Sequence, residues 1–389
     1  MDDKFAARFI EDNIITKVLS TQDRVSLLEK LSASIAAQLR DKYPLEARLT
    51  LETGVYMSTT DQLAKTILYL TKYNGDQLSF YDGVSSWSSI ALGADISIKS
   101  TDAQTGATTN GNKIISGLTD TSQLVVGMLI TGTNVGAGSV IATIDSGTQV
   151  TGTVNSTGSA SNTITFKLPA STVYDVFCKN NSGVAKLKLV AGQATRTTQN
   201  GVIVMTGYTT YRLVGSTLTT ATAGQLEISA SFISVSNLYN KLAKNVAKCP
   251  GYVNNNASDV YGAASATWIE ANGDGRINFV LCDDQSIEIR GIAGGNAGAS
   301  GWFMMGIGID TLTAPTVEAI SAPGPAFSSV IADQTNFGLP LAKGSHYYSL
   351  LLCYLTVGGP TIYADFGGVK GGSGGADPMD TYMAGQILF

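Results

Sequence analysis

Between Ala170 and Gly215 the chain reads ASTVYDVFCKNNSGVAKLKLVAGQATRTTQNGVIVMTGYTTYRLVG. Apolar and polar residues alternate there with a period of two, and small polar pairs interrupt the alternation every few residues. A period of two sends successive side chains to opposite faces of an extended backbone. The stretch is therefore confined to short strands joined by tight turns. It carries no catalytic constellation.

The rest of the composition points the same way. The chain has 389 residues, enough for two or three domains. Its 43 glycines, abundant serine and threonine and charged share of only 14% suit an all-β protein with many turns. The apolar share of 44% is too high for a disordered chain. The net charge is −5 with no basic block, so nucleic-acid binding by phosphate neutralisation is not expected. Cys178, Cys249, Cys282 and Cys353 are too far apart for a CxxC metal pair and sit in apolar or strand-like surroundings. They read as free buried thiols, with pairing among them left open. The single His346 argues against metal sites and His-based catalysis, and no cofactor is expected. The opening MDDKFAARFIEDN does not read as a signal peptide, and no run of about eighteen apolar residues predicts a membrane span. Synthesis in the cytoplasm without membrane insertion is the expectation.

Along the chain, residues 3–43 form the strongly helical part. Phe9, Ile10, Ile14 and Val18 recur at helical spacing. Ser20 with Asp23 predicts an N-cap, and Leu28, Leu31, Ile35 and Leu39 line one face of a second helix closed by Pro44. This stripe suits a helical hairpin, a short bundle with neighbouring copies, or a cap on its own domain. From Ala47 the period becomes two, with Asn74-Gly75 and Asp82-Gly83 as turn signals. Residues 96–167 are nearly free of charge and rich in Gly, Ser and Thr, which predicts a β module inserted into a domain formed by 46–95 plus 168–217. Leu238, Leu242 and Val246 lie at helical spacing, predicting a short helix in a connector at 218–250. Residues 251–389 alternate again and predict a β-sandwich or jelly-roll-like domain.

Few residues invite a chemical role. Asn272 to Arg276 resembles a calcium loop only faintly, lacks the distal ligands and reads as a β-turn. Asp283, Asp284 and Glu288 form an acidic cluster, but nothing sets the separation that glycoside hydrolysis needs. The Gly-rich runs near 294–298 and 367–375 lack the strand and helix of a phosphate loop and read as surface loops. Aromatic residues concentrate after residue 250; Tyr252, Tyr261 and Tyr363 are the candidates for contact with a host surface, since tyrosine rings stack on sugars and enrich interfaces.

Several segments resemble a family of bacteriophage virion structural proteins. The stretch from Ala170 to Gly215 is similar to a recurring pattern of the type YDVF...RATxLxxQDGVxVKSGxTTRRYLG. Leu124 to Ile141 fits the frame of a small phage β module, GLSVGMxVxGTGIPxGTxVxxI. ATWIEANGDGRINFVLCDD, GIGIDTLTAPT and HYYSLLLCYLTVGGPTIYADFGG resemble ordered C-terminal segments of the same family. The likeness covers about 48–95, 168–217 and 236–389. It implies a head fibre, tail fibre or capsid decoration protein, with no catalytic residue to carry over. The expected architecture is mainly β: a short N-terminal helical anchor at 1–45, then several small antiparallel sandwich or jelly-roll-like domains. The expected role is a homotrimeric fibre of the virion, made in the host cytoplasm. Phe9, Ile14, Val18, Leu28, Leu31, Ile35 and Leu39 would anchor it to other virion proteins in the capsid, neck or tail. Recognition of a host glycan or protein would fall to the aromatic-rich C-terminal part, not to Ala170–Gly215. A capsid cement protein is the alternative, and a polysaccharide-degrading tailspike a more distant one.

Overall fold

The computed structural model describes residues 43–248, 267–270, 276–292, 295–296, 303–320, 334–335, 341–354, 361–362 and 382–389. The helical stripe at 3–43 lies outside them, apart from Tyr43. The described residues are mainly β, arranged in several small sheets, with no helix among them. Nearly every strand pair is antiparallel; the pairing of Phe232–Ile233 with Asn278–Phe279 is parallel.

Residues 170–215 form most of a six-stranded sheet. Its order is Val184–Ala191, Val173–Asn181, Tyr208–Leu218, Val202–Met205 and Arg196–Gln199, with Val235–Asn237 pairing the long strand Tyr208–Leu218. Two of its turns follow directly from residue type. Ser182-Gly183 and Asn200-Gly201 each close a two-residue hairpin with positive φ at both positions (55° and 89°; 51° and 82°). That is the turn whose twist matches the flanking strands, and Asn-Gly is its preferred sequence. Gly215 sits at a register shift in the same sheet, where its backbone meets the carbonyl oxygen of Ser236 and the Leu49 side chain too closely for a Cβ.

Residues 101–167 supply all the strands of a second six-stranded sheet, ordered Ile141–Ser146, Gln149–Gly152, Ile114–Ser116, Thr101–Thr108, Ala160–Lys167 and Leu129–Gly132. Thr101 pairs with Lys167, and the Leu168 amide donates to the Ser100 carbonyl at 2.9 Å, so the chain enters and leaves this sheet side by side. Ile96–Lys99, expected in the insertion, instead pairs with Ile67–Lys72 beside Ala47–Thr50. Its apolar Ile98 completes that three-stranded sheet from inside the core.

The connector helix expected near 238–246 is replaced by strands at Val235–Asn237 and Ala243–Lys248. The physical reason lies in two asparagines. Asn237 exchanges hydrogen bonds with the Leu49 amide (2.6 Å) and carbonyl (3.2 Å), and Asn240 donates to the carbonyls of Leu45 (2.6 Å) and Ala47 (3.0 Å). Asn240 also adopts φ 53°, which interrupts a right-handed helix. Side-chain amides committed to a neighbouring strand outcompete a weak helical stripe.

The boundaries expected at 217/218 and 250/251 do not separate the sheets. One eight-stranded sheet takes Gln62–Lys65, Leu226–Ile228 and Phe232–Ile233 together with Arg276–Leu281, Gly344–Tyr354, Phe303–Ile309 and Val317–Ile320, with Ile269–Glu270 pairing at its side. A further sheet joins Ala243–Lys248 to Tyr382–Leu388 and Glu288–Ile292. One apolar cluster runs from Leu45 through Phe166 and Phe279 to Phe389.

Two buried arginines fasten these layers. Arg212 donates to the carbonyls of Tyr43 (2.9 Å), Pro44 (3.0 Å) and Ser79 (3.0 Å), with Tyr239 at 4.7 Å beneath its guanidinium. Arg48 donates to the Phe389 carbonyl at 3.0 Å and lies over the Phe389 ring at 4.7 Å. Burial pulls Arg48 down to about 10, still well above neutrality, so it is a buried cation at pH 7.

Candidate ligand-binding groove

The outer face of the Ala170–Gly215 sheet carries an unusual run of like charge. Lys179 stands directly opposite Lys186 across the hairpin, and Lys188 follows two residues along on the same face. Like charges placed opposite one another on a sheet are destabilising. None of the three forms an ion pair among the described residues. The ammonium groups of Lys179 and Lys188 lie near two tyrosines instead. Lys179 Nζ is 4.9 Å from the centre of the Tyr211 ring, and Lys188 Nζ is 5.2 Å and 5.6 Å from the rings of Tyr211 and Tyr208. The two rings meet edge to face at 6.4 Å.

This face forms one wall of a groove of about 700 Å³. The other wall comes from the 101–167 module: Ser122, Leu124, Val125 and Val126 of the connection between Ile114–Ser116 and Leu129–Gly132, and Ile144 of the strand Ile141–Ser146. Tyr208 is 61% exposed, Val126 55% and Ile144 38%, so apolar surface stands open on both sides. Thr195 also lines the groove; its hydroxyl is buried and has no hydrogen-bond partner among the described residues. Among the described residues no Asp, Glu, His or Cys lines it. Asp120 lies within electrostatic reach of Lys186. It is held below its usual range first by the Ser122 hydroxyl and amide, with the Lys186 and Lys99 charges adding to this.

No protein-family model and no curated protein matches the chain. Among solved structures, it is similar to the insecticidal delta-endotoxin Cry8Ea1 from Bacillus thuringiensis, at 10% identity and a TM-score of 0.22. That match covers 91% of this chain and 55% of the toxin, so the chain spans about half of its length. At that TM-score the likeness carries no argument about fold or role.

The residues expected to anchor the chain (Phe9, Ile14, Val18, Leu28, Leu31, Ile35, Leu39) and to contact a host (Tyr252, Tyr261, Tyr363) lie outside the described residues. The acidic cluster is divided among separate structural tasks. Asp283 is ion-paired with Lys241 at 2.5 Å, Asp284 accepts from the Lys343 amide at 2.9 Å, and Glu288 lies on an exposed strand position opposite Gln386. Tyr348 is buried and stacked on Phe279 at 5.3 Å, which makes it a core residue. Cys178 and Cys282 are free and buried.

In the sequence each groove residue looks ordinary alone. The available signal was KLK at 186–188 paired with Lys179 across the Ser182-Gly183 turn, followed by YTTY at 208–211. A period of two puts all three lysines on one face.

Proposed function

We propose that the chain is a structural, host-attaching protein of a bacteriophage virion, working as a homotrimeric fibre. The N-terminal helical stripe anchors it to other virion proteins, and the β body, read as sandwich-like domains, projects from the particle. The observation that carries this reading is the ordered resemblance of 48–95, 168–217 and 236–389 to phage structural proteins. The groove supports attachment over chemistry: it presents ammonium groups, tyrosine rings and apolar surface, with no carboxylate pair lining it. Copies in a trimer would present such a groove three times, so weak single contacts would add through avidity.

The test uses particles carrying the full chain or a chain lacking residues 1–42. Labelled full-length protein is expected at one fixed location on the particle, and the shortened protein is expected to be absent. Incorporation of the shortened chain at the normal level would refute the anchor. Full-length protein that never appears on particles would refute the virion role. If loss of the protein lowers the shell's disruption temperature and leaves adsorption to host cells unchanged, the cement alternative replaces the fibre.

A further inference from the structure

We infer that the groove between the Ala170–Gly215 sheet and the 101–167 module binds an acidic saccharide, its carboxylates on Lys179, Lys186 and Lys188 and its sugar face on Tyr208. The inference takes its biological setting from the attachment reading above, but its physical basis is independent.

The first part of that basis is charge. In a chain with net charge −5 and few charged residues, three lysines share one small face, two of them directly opposite. Opposed like charges cost stability unless an anion lies between them. Asp120 interacts with Lys186 through charge alone, and no carboxylate of the described residues forms an ion pair with any of the three. Tyr208 and Tyr211 hold the Lys179 and Lys188 ammonium groups near the ring faces, which limits the freedom those side chains would lose on binding.

The second part is surface type. A sugar ring offers a C–H face and a rim of hydroxyls. The exposed Tyr208 ring and the apolar Val126 and Ile144 opposite it suit the first. A nucleic acid fits less well. It would need basic residues along an extended track, whereas these three ammonium groups sit on one hairpin of an acidic chain. An acidic peptide would use the lysines but leave the tyrosine face without a planar partner.

The experiment is calorimetric titration of the full chain with a galacturonic acid tetramer. A neutral galactose tetramer, an oligothymidine and a glutamate peptide, the last two matched in charge, are run beside it. The acidic tetramer is expected to bind at least about tenfold more tightly than the neutral one, and to weaken as salt rises. K179Q and K188Q are each expected to weaken it about tenfold, the loss of one charge-assisted contact. Lys188→Arg keeps the charge and should retain binding. Tyr208→Ala should weaken both sugars. The thermal midpoint of each variant should be no lower than the parent's, and K179Q, which removes one of two opposed like charges, should raise it slightly; this separates lost contact from lost fold. Equal binding of the neutral tetramer, unaltered binding by the lysine variants, or no binding of the acidic tetramer overturns the inference. Tighter binding of oligothymidine or of the glutamate peptide than of the saccharide overturns it as well. Binding in solution by a protein that never reaches particles would sink the virion reading alone; particle incorporation without binding would sink this one alone.

Discussion

Asp175 is fully buried and holds the charged centre of the body. Its two oxygens accept from Arg196 Nε at 2.7 Å and Nη2 at 2.5 Å, and Ser216 donates to the same carboxylate at 2.9 Å. Arg196 also donates to the Cys282 carbonyl, while Gln193 reaches the Leu281 carbonyl at 2.9 Å. The cluster thus ties the hairpins of 173–205 to the strand at 276–281. Asp175→Ala would leave a buried guanidinium without its anion, a change that costs about 3–5 kcal/mol. Replacing Asp175 and Arg196 together by apolar residues of similar volume should cost less, because no lone charge remains. Denaturant midpoints of the single and double variants measure the difference; a single variant as stable as the parent would contradict it. Cys282 and Cys178 set a second expectation. Burial pushes Cys282 up to about 11 and Cys178 to about 12, from 9.0. Below about pH 8 both thiols are protonated whether the chain is folded or not, and they add no pH dependence. Above it the unfolded chain ionises first, so stability falls by up to about 1.4 kcal/mol per pH unit for each thiol. Tyr174, raised by burial to about 12, adds to the loss at higher pH. Replacing both cysteines by alanine should flatten the fall in denaturation midpoint between pH 9 and 10.5. At pH 8, alkylation of Cys178 and Cys282 should require unfolding.

Hairpins are where local chemistry and structure agree most closely. Asn200-Gly201 and Ser182-Gly183 were readable as turns because two adjacent positive φ values need residues that tolerate them. Asp82-Gly83 was readable for a related reason. Asp82 Oδ1 accepts from the amides of Val84 (2.7 Å), Ser85 (2.8 Å) and Ser86 (3.0 Å), closing the hairpin of Gln77–Tyr81 and Trp87–Ala91. Asn74-Gly75 does turn the chain, but between strands of different sheets, Ile67–Lys72 and Gln77–Tyr81. A dipeptide reports its own backbone and not which strands pair across it. The helix expected near Leu238 failed on the same ground, since three apolar residues at helical spacing say nothing of the Leu49 backbone that Asn237 reaches. Gly201→Ala tests the local half of this account. At φ 82° an alanine is strained, and the substitution should cost about 1–2 kcal/mol. Asn200→Gly should change stability by only a few tenths of a kcal/mol, since glycine accepts the same φ. A thermal midpoint unchanged by Gly201→Ala would remove the turn assignment.

At the scale of the molecule, segments far apart in sequence complete one another, which is why the domain limits and the groove were the least legible features. The groove needs Val126 and Ile144 of the 101–167 module together with Lys188 and Tyr208 of another sheet, and no period within either segment announces the other. The start of the body shows the same dependence. Residue 45 was read as the end of an N-terminal segment because Pro44 closes a helical stripe. Yet Tyr43 stacks on Trp87 at 4.5 Å, Leu45 is buried in the core, and the carbonyls of Tyr43 and Pro44 accept from buried Arg212. The Pro44 carbonyl accepts from the Ser79 amide as well. A chain beginning at 46 would strip the Arg212 guanidinium of two of its acceptors, and a buried charged donor left short costs more than an ordinary lost hydrogen bond. Loss of the Leu45 side chain from the core adds to this. The chain beginning at 46 should therefore be less stable than the chain beginning at 43 by about 3 kcal/mol or more. Equilibrium unfolding of the two truncated proteins, side by side, checks the difference. Equal stability would mean that Arg212 finds other acceptors. If the gap is present, a particle lacking the shorter protein would report misfolding and not a missing anchor, so only the truncation that keeps Tyr43, Pro44 and Leu45 can test attachment to the virion.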